Sequence, residues 1–171
     1  MIIESKKVKK WDGPETERSA SGDYVFYHLL NIQAAIELIR EHEQPLLLNY
    51  KIFENTKPVQ RHVVGTFICK HKKKEICWRS GKICIEIYTN KSEFCVKVWN
   101  QKCRVCNRIN IAELDKDIYI QKVQYFLRLH LGLRLPSKQD TAKTLTTPPH
   151  KEQLCCACAA GVCSEARRTC E

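Results

Sequence analysis

Cysteine pairs separated by two residues are the part of this sequence with the clearest chemistry. Two such pairs occur, Cys103 with Cys106 and Cys155 with Cys158. Two intervening residues let one short turn bring both sulfurs to the same point, and such a turn supplies half of a tetrahedral Zn²⁺ site. The spacing therefore predicts metal binding.

The first pair has a third sulfur upstream of it in the chain. Cys69 ends an apolar run, and Lys72 stands where a second cysteine of its own pair is expected. His71 and Cys77 are the candidates for the fourth ligand, because imidazole nitrogen and thiolate both suit zinc. Cys77 lies beyond a basic loop that can fold back, and it is slightly preferred. The first predicted zinc site is Cys69, Cys103 and Cys106 with either Cys77 or His71.

The second pair lies in a closing segment, residues 150–163. His150 precedes the pair, and Cys163 follows it after Gly161. One imidazole and three thiolates complete a tetrahedron. The second predicted zinc site is therefore His150, Cys155, Cys158 and Cys163. Sequence order does not fix spatial order, so an exchange of ligands between the two groups stays open.

Two segments of strand character lie between Cys69 and the first pair. Residues 82–89 and 94–99 alternate apolar and polar side chains around a polar turn at residues 90–93. The apolar face consists of Ile83, Ile85, Ile87, Phe94, Val96 and Val98. Cys84 and Cys95 fall on the other face and are predicted to be ordinary thiols. This is the layout of a zinc ribbon, a hairpin with few core residues that gains much of its stability from the metal.

Two helices are predicted beside the ribbon. Residues 23–43 repeat apolar side chains at three- and four-residue steps, with Asp23 as N-cap and Pro45 as the stop. Their apolar stripe is Val25, Leu29, Ile32, Ile36 and Ile39. Residues 112–133 form the second helix, with a face of Leu114, Ile118, Val123, Phe126, Leu127 and Leu131. The predicted fold class is α+β, a small zinc-ribbon-like antiparallel sheet with an N-terminal helix and a helix after Cys106.

The predicted organisation has four parts. Residues 1–22 form a flexible N-terminal arm, residues 23–45 the N-terminal helix, residues 46–163 the zinc-binding domain and residues 164–171 a C-terminal tail. Within the domain, residues 46–53 are of strand type. Residues 137–149 form a linker that lets the closing segment reach back to the body of the fold.

Composition narrows the class of protein. The 171 residues carry a formal charge of +10, which permits contact with nucleic acid or acidic lipid. Eleven cysteines without an apolar leader favour metal binding in a reducing compartment over a secreted disulfide scaffold. No apolar run reaches the length of a membrane span. The H-x-E and P-C-x-x-C signature of zinc deaminases is missing, so no enzyme is expected.

Several motifs together resemble a known family. G-x-F-x-C at residues 65–69, W-x-S-G at 78–81 and Q-x-C-x-x-C at 101–106 are similar to the 3CxxC-type zinc finger. The closing H-x4-C-x2-C-x2-G-x-C at residues 150–163 resembles the receptor-transporting proteins in particular. Lys72 departs from the family pattern, because it breaks the first CxxC pair.

The resemblance implies a function and a location. Receptor-transporting proteins are zinc-binding accessory proteins, with a chaperone role, that help odorant, taste and other G-protein-coupled receptors to reach the plasma membrane. Some act in interferon-linked antiviral defence, and they are not enzymes. Members usually carry a C-terminal membrane anchor, and this sequence ends at Glu171 without one. The resemblance implies a cytoplasmic protein that meets the endoplasmic reticulum or plasma membrane through its partners.

RNA binding is the alternative function. Zygote arrest proteins have a related cysteine pattern and bind RNA. Trp78 and Trp99 lie among basic residues of the ribbon and are of the type that stacks on bases. The basic residues are Lys70, Lys72, Lys73, Lys74, Arg79 and Lys102.

Overall fold

A curled, mostly antiparallel sheet forms the centre of the computed structural model, which describes residues 15–42, 47–48, 57–71, 74–90, 93–133 and 149–166. Its strands run in the order β1-β2-β6-β5-β4-β9, and β3 pairs with β6 in parallel. A separate small sheet joins β7 and β8. The strands are β1 (Thr16–Arg18), β2 (Tyr24–Tyr27), β3 (Leu47–Leu48), β4 (Val59–Lys70), β5 (Glu75–Asn90), β6 (Glu93–Trp99), β7 (Gln101–Lys102), β8 (Ile109–Asn110) and β9 (Ala112–Leu114).

The described residues also form three helices, α1 (His28–His42), α2 (Lys116–His130) and the single turn α3 (Cys156–Ala159). A 3₁₀ turn, Glu152–Leu154, precedes α3. Asp115 caps α2, because its carboxylate accepts the backbone N–H of Ile118 at 3.2 Å. The α+β fold class predicted from the sequence is confirmed.

The central hairpin of β5 and β6 separates two layers. The six apolar residues predicted for one face are all buried, and they pack in one cluster with residues of α1 and α2. The opposite face carries Cys84 and Trp99, which pack against Cys155, Cys156 and Cys163. The molecule is therefore a sheet with the long helices on one side and the closing segment on the other.

The N-terminal helix is shorter than predicted, and the face that it buries differs from the predicted apolar stripe. Residues 24–27 form β2, so Asp23 is not the N-cap and α1 begins at His28. Aromatic and β-branched side chains in these four residues suit a strand, and β2 pairs with both β1 and β6. Leu29 of the predicted stripe is 48% exposed, whereas Leu30, Ala34 and Leu38 are buried. The predicted stripe does not include the small alanines, yet they face the core.

The second helix also begins later than predicted. Residues 112–114 form β9, which pairs with β4, so Leu114 is buried in a strand. Val123, Phe126 and Leu127 are buried on α2, as the periodicity predicts. The backbone of Gly132 has φ +68° just after the helix, a conformation that glycine adopts without strain.

Three other predicted segments are covered only in part. Within the predicted N-terminal arm, residues 16–18 form β1 rather than a flexible chain, and residues 1–14 lie outside the described residues. Of the predicted strand at 46–53, only Leu47–Leu48 is described. Residues 137–148 of the predicted linker and residues 167–171 of the predicted tail lie outside the described residues.

Candidate metal centres

The first group of metal-binding side chains lies at one end of β4. The ligand atoms of Cys69, His71, Cys103 and Cys106 all lie within 4.8 Å of one another. The Sγ atoms of Cys69 and Cys106 are 3.6 Å apart, and Cys103 Sγ lies 3.6 Å from His71 Nε2. Zn–S bonds of about 2.3 Å and Zn–N bonds of about 2.0 Å in a tetrahedron require separations of about 3.5 to 3.8 Å. The four side chains fit one zinc ion.

Local backbone structure places these ligands. The small sheet of β7 and β8 closes a tight turn, in which the Asn107 N–H donates to the Cys103 carbonyl at 2.9 Å. Burial alone would raise the pKa of Cys103. Backbone N–H groups of Val105 and Cys106 donate to its sulfur and bring the pKa below its ordinary value. The turn therefore favours the thiolate, which is the form that binds zinc.

Cys77, the slightly preferred fourth ligand, is not in this group. In the ladder of β4 and β5, Cys69 lies opposite Ile76 and Ile68 opposite Cys77. Successive side chains of a strand point to opposite faces, so Cys77 points away from the face that Cys69 occupies. Cys77 is exposed, and its thiol lies 3.5 Å from Glu75. The structure brings His71 to the site instead.

The second group consists of the four residues predicted from the closing segment. The ligand atoms of His150, Cys155, Cys158 and Cys163 lie within 4.8 Å of one another. His150 Nε2 is 3.2 Å from Cys158 Sγ and 3.8 Å from Cys163 Sγ. The two distances bracket the N–S separation of about 3.5 Å that tetrahedral zinc requires, and no exchange of ligands with the first group is seen.

The closing segment is fastened to the sheet at the start of α3. Cys155 forms a β-bridge with Gln101, and the Cys156 N–H donates to the Asn100 carbonyl at 3.2 Å. Gly161, at φ +72°, reverses the chain so that Cys163 returns to the site. The Cys155 thiol donates a hydrogen bond to the Cys163 sulfur, which lowers the pKa of Cys163. Cys163 is therefore the sulfur of this group most ready to carry charge.

Two residues beside the second group were not predicted as ligands. His62 of β4 and Cys84 of β5 are direct cross-strand partners, and together with Cys163 they form a third group with ligand atoms within 4.8 Å. The alternation of β5 correctly places Cys84 away from the helices. The sequence gives no register between β4 and β5, so it could not bring His62 to Cys84.

The two four-residue groups fit two zinc ions. The ten described cysteines are free thiols, and Cys103 and Cys106 are not joined as a disulfide. Four protein ligands at each site form the closed coordination typical of structural zinc, which supplies folding energy.

The comparisons with known proteins agree with this chemistry. The family described as a zinc-binding domain, the 3CxxC zinc ribbon, matches residues 62–161. This match covers more than half of the chain and spans residues from both zinc groups, so the chain belongs to the 3CxxC zinc-ribbon family. Comparisons with curated proteins and with solved structures find no match. Among the described residues, no helix is long and apolar enough to cross a membrane.

A cleft of about 210 Å³ is lined by His150 of the second zinc group and by Lys102 and Arg104, the chain neighbours of Cys103 in the first. Its cationic side chains are Arg79, Lys82, Lys102, Arg104 and Lys151. Arg79 lies 3.7 Å from Asp115, and Lys82 lies 3.1 Å from Glu165. The other three have no carboxylate within ion-pair distance among the residues that the structure describes.

The two tryptophans of the ribbon differ in their exposure to solvent. Trp78 lines the cleft, stacks on Phe67 at 5.0 Å and donates its indole N–H to Gln101. Trp99 is only 7% exposed and donates its indole N–H to Glu86 at 2.9 Å. The expectation that both tryptophans can stack on bases is therefore wrong for Trp99.

Proposed function

We propose that this protein is a zinc-stabilised accessory protein that binds G-protein-coupled receptors of the odorant or taste type and promotes their delivery to the plasma membrane. It acts from the cytoplasm, at the endoplasmic reticulum or plasma membrane, through its partners. The observation that carries the proposal is the convergence of the closing segment's four ligands. Their H-x4-C-x2-C-x4-C spacing is the part of the sequence that resembles receptor-transporting proteins most closely.

The closed zinc sites support a binding role over catalysis. A catalytic zinc keeps one coordination position for water or substrate. Each four-residue group instead offers a full set of protein ligands. We infer that zinc holds the shape of a surface that a partner recognises, and that the chain is not an enzyme.

Surface delivery of receptors tests this proposal directly. The chain is co-expressed with a panel of odorant and taste receptors, and receptor at the cell surface is counted against total receptor. We expect a severalfold rise for some receptors. The rise should be lost with Cys103→Ala/Cys106→Ala, which removes two ligands, and kept with Cys77→Ala, which removes a thiol outside both four-residue groups. An unchanged surface fraction for every receptor would reject the proposal.

RNA binding is the second candidate, and the cleft is the observation that favours it. Lys102 and Arg104 flank Cys103, and Lys151 follows His150, so both zinc groups hold cations at the cleft. Cations without carboxylate partners can bind phosphates, and release of counterions then makes the affinity fall with salt. Trp78 adds an aromatic side chain to the same wall.

Charge reversal in the cleft separates the two functions. Lys102→Glu/Arg104→Glu/Lys151→Glu should abolish retention of single-stranded RNA at low salt and flatten the salt dependence. The matched control is Lys57→Glu/Lys116→Glu/Lys122→Glu, which reverses the same number of charges at exposed lysines outside the cleft. Receptor delivery that survives the cleft variant would assign delivery to another surface. No RNA retention by the unaltered chain at low salt would remove the second candidate.

A further inference from the structure

The third group of ligands adjoins the second zinc group and shares one sulfur with it. Cys163 Sγ lies 3.8 Å from His150 Nε2 and 3.9 Å from His62 Nε2. Cys84 hydrogen-bonds to the same sulfur. Five other donors, from the closing segment and from two strands of the sheet, thus surround Cys163.

The sheet itself holds His62 and Cys84 in place. They are opposite each other in the ladder of β4 and β5, so their side chains stand next to each other on one face of the sheet. A register shift follows directly, between Val63 and Gly65. Cys84 and Cys163 are each about 1% exposed, whereas His62 is half-buried. Two donors are thus fixed by regular structure, with a route to solvent on the His62 side.

The net charge of the buried cluster differs between binding one divalent metal ion and binding two. With one metal ion, the second group has three thiolates around one divalent cation, a net charge of −1, and His62 and Cys84 only hydrogen-bond to Cys163. With a second divalent cation and the Cys84 thiolate, four thiolates balance two cations and the cluster is neutral. A neutral cluster costs less to bury than a charged one.

We propose that the second centre binds two zinc ions, with the Cys163 thiolate bridging them. His150, Cys155 and Cys158 complete one ion's ligand set. His62 and Cys84 are the other two protein ligands of the second ion, which then has three protein ligands. The closed coordination described above applies to the ions of the two four-residue groups. Thiolate and imidazole are the ligand types that zinc prefers, and bridging by thiolate needs a sulfur reachable from both sides, as Cys163 is.

Native mass spectrometry of the reduced, zinc-loaded chain tests the count. We expect three zinc ions per chain, two at the second centre and one at the first. His62→Ala and Cys84→Ala should each lower the count to two. Cys95→Ala is the matched control, since Cys95 is also a buried thiol of the sheet but lies outside all three groups, and it should keep three. A count of two for the unaltered chain would overturn the proposal.

Cadmium-113 NMR gives a readout that needs no variant. The chain reconstituted with ¹¹³Cd²⁺ should give three resonances, and two of them should show ¹¹³Cd–¹¹³Cd scalar coupling through the bridging sulfur. Two uncoupled resonances would mean that His62 and Cys84 only hydrogen-bond to Cys163, and the proposal would be wrong. Neither result depends on receptor delivery or on RNA binding, so the proposed function stands or falls separately.

Discussion

At the scale of single residues, the first zinc group depends on strand parity. Cys69 and Cys77 are both near the turn between β4 and β5, but they stand on opposite faces of the ladder. His71 lies past the end of β4, and its N–H donates to the Lys74 carbonyl at 2.9 Å. An imidazole in the turn therefore completes the four-residue group, although a thiol is available in the adjacent strand.

Removing each candidate ligand tests this assignment. We expect His71→Ala to lose one zinc ion per chain or to weaken its binding by at least tenfold, because three ligands remain. Cys77→Ala should leave the zinc count and the melting temperature unchanged. Zinc analysis after dialysis against a weak chelator measures both. Loss of zinc from the Cys77 variant alone would contradict the assignment.

His28 offers a test of residue electrostatics away from the zinc groups. The ring is fully buried, which lowers its pKa, and the Glu17 carboxylate at 3.3 Å partly opposes the shift. A histidine whose pKa is lowered in the folded state is protonated first in the unfolded chain. Its contribution to stability is therefore full above the unfolded value of about 6.5 and is lost as pH falls below it.

NMR titration of the His28 ring should give a midpoint below 6.5. Glu17→Gln should lower the midpoint further, since it removes a neighbouring negative charge that favours the imidazolium. On acidification, the free energy of unfolding should fall further in the Glu17→Gln variant than in the unaltered chain. A midpoint that rises in the Gln variant would show that Glu17 does not act on His28 in this way.

At the scale of elements, β4 is the strand that reaches both zinc groups. It carries Cys69 of the first group and His62, whose Nε2 atom lies 3.9 Å from Cys163 Sγ of the second group. It pairs with β5 on one side and β9 on the other.

Gly65 lies opposite Leu114 of β9. A Cβ at this position would be 2.7 Å from the Glu113 carbonyl oxygen and 2.9 Å from Ile83 Cδ1. Glycine is needed here because the neighbouring backbone occupies the space of a side chain.

Gly65→Ala should therefore reduce the free energy of unfolding by about 1–3 kcal/mol, because β9 or β4 must move to admit the methyl group. Chemical denaturation of the zinc-loaded chain measures the change. Glu113→Ala is the matched control, since it alters an exposed residue of β9 and should change stability by less than about 0.5 kcal/mol. Equal stabilities for the two variants would mean that the strands separate without cost.

At the scale of the whole molecule, the two faces of the sheet are stabilised by different means. Helices α1 and α2 bury an apolar cluster on one face. The part of the other face around Cys84 and Trp99 is covered by residues 149–166, in a buried cluster that is mostly cysteine. The apolar core is thus larger than a zinc ribbon's few residues suggest, and the closing segment is the part that depends most on metal.

Cys155→Ala/Cys158→Ala should therefore release the closing segment while the helical side stays folded. Limited proteolysis should cut near Lys151, and the helical circular dichroism should remain. Cys95→Ala, a buried thiol outside the zinc groups, should resist cleavage. Global unfolding of the double variant would show that the apolar core does not persist without the second centre.

Cysteine spacing by itself determined much of this protein. A CxxC turn brings its sulfurs together in any fold, and the two turns supply four of the eight residues of the two four-residue groups. Cys69, His150 and Cys163 were predicted from their positions around these turns. Period-two alternation likewise placed Ile83, Ile85 and Ile87 on the buried face, because pleating fixes which side chains share a side.

Only the tertiary structure decided the contacts between strands. The aromatic residues before α1 became β2 because neighbouring strands were there to pair with them. The choice of His71 over Cys77 and the meeting of His62 with Cys84 both depend on the register of β4 against β5. A shift of one residue in the pairing of the two strands moves every side chain of the shifted strand to the other face. The local sequence of either strand does not determine this pairing.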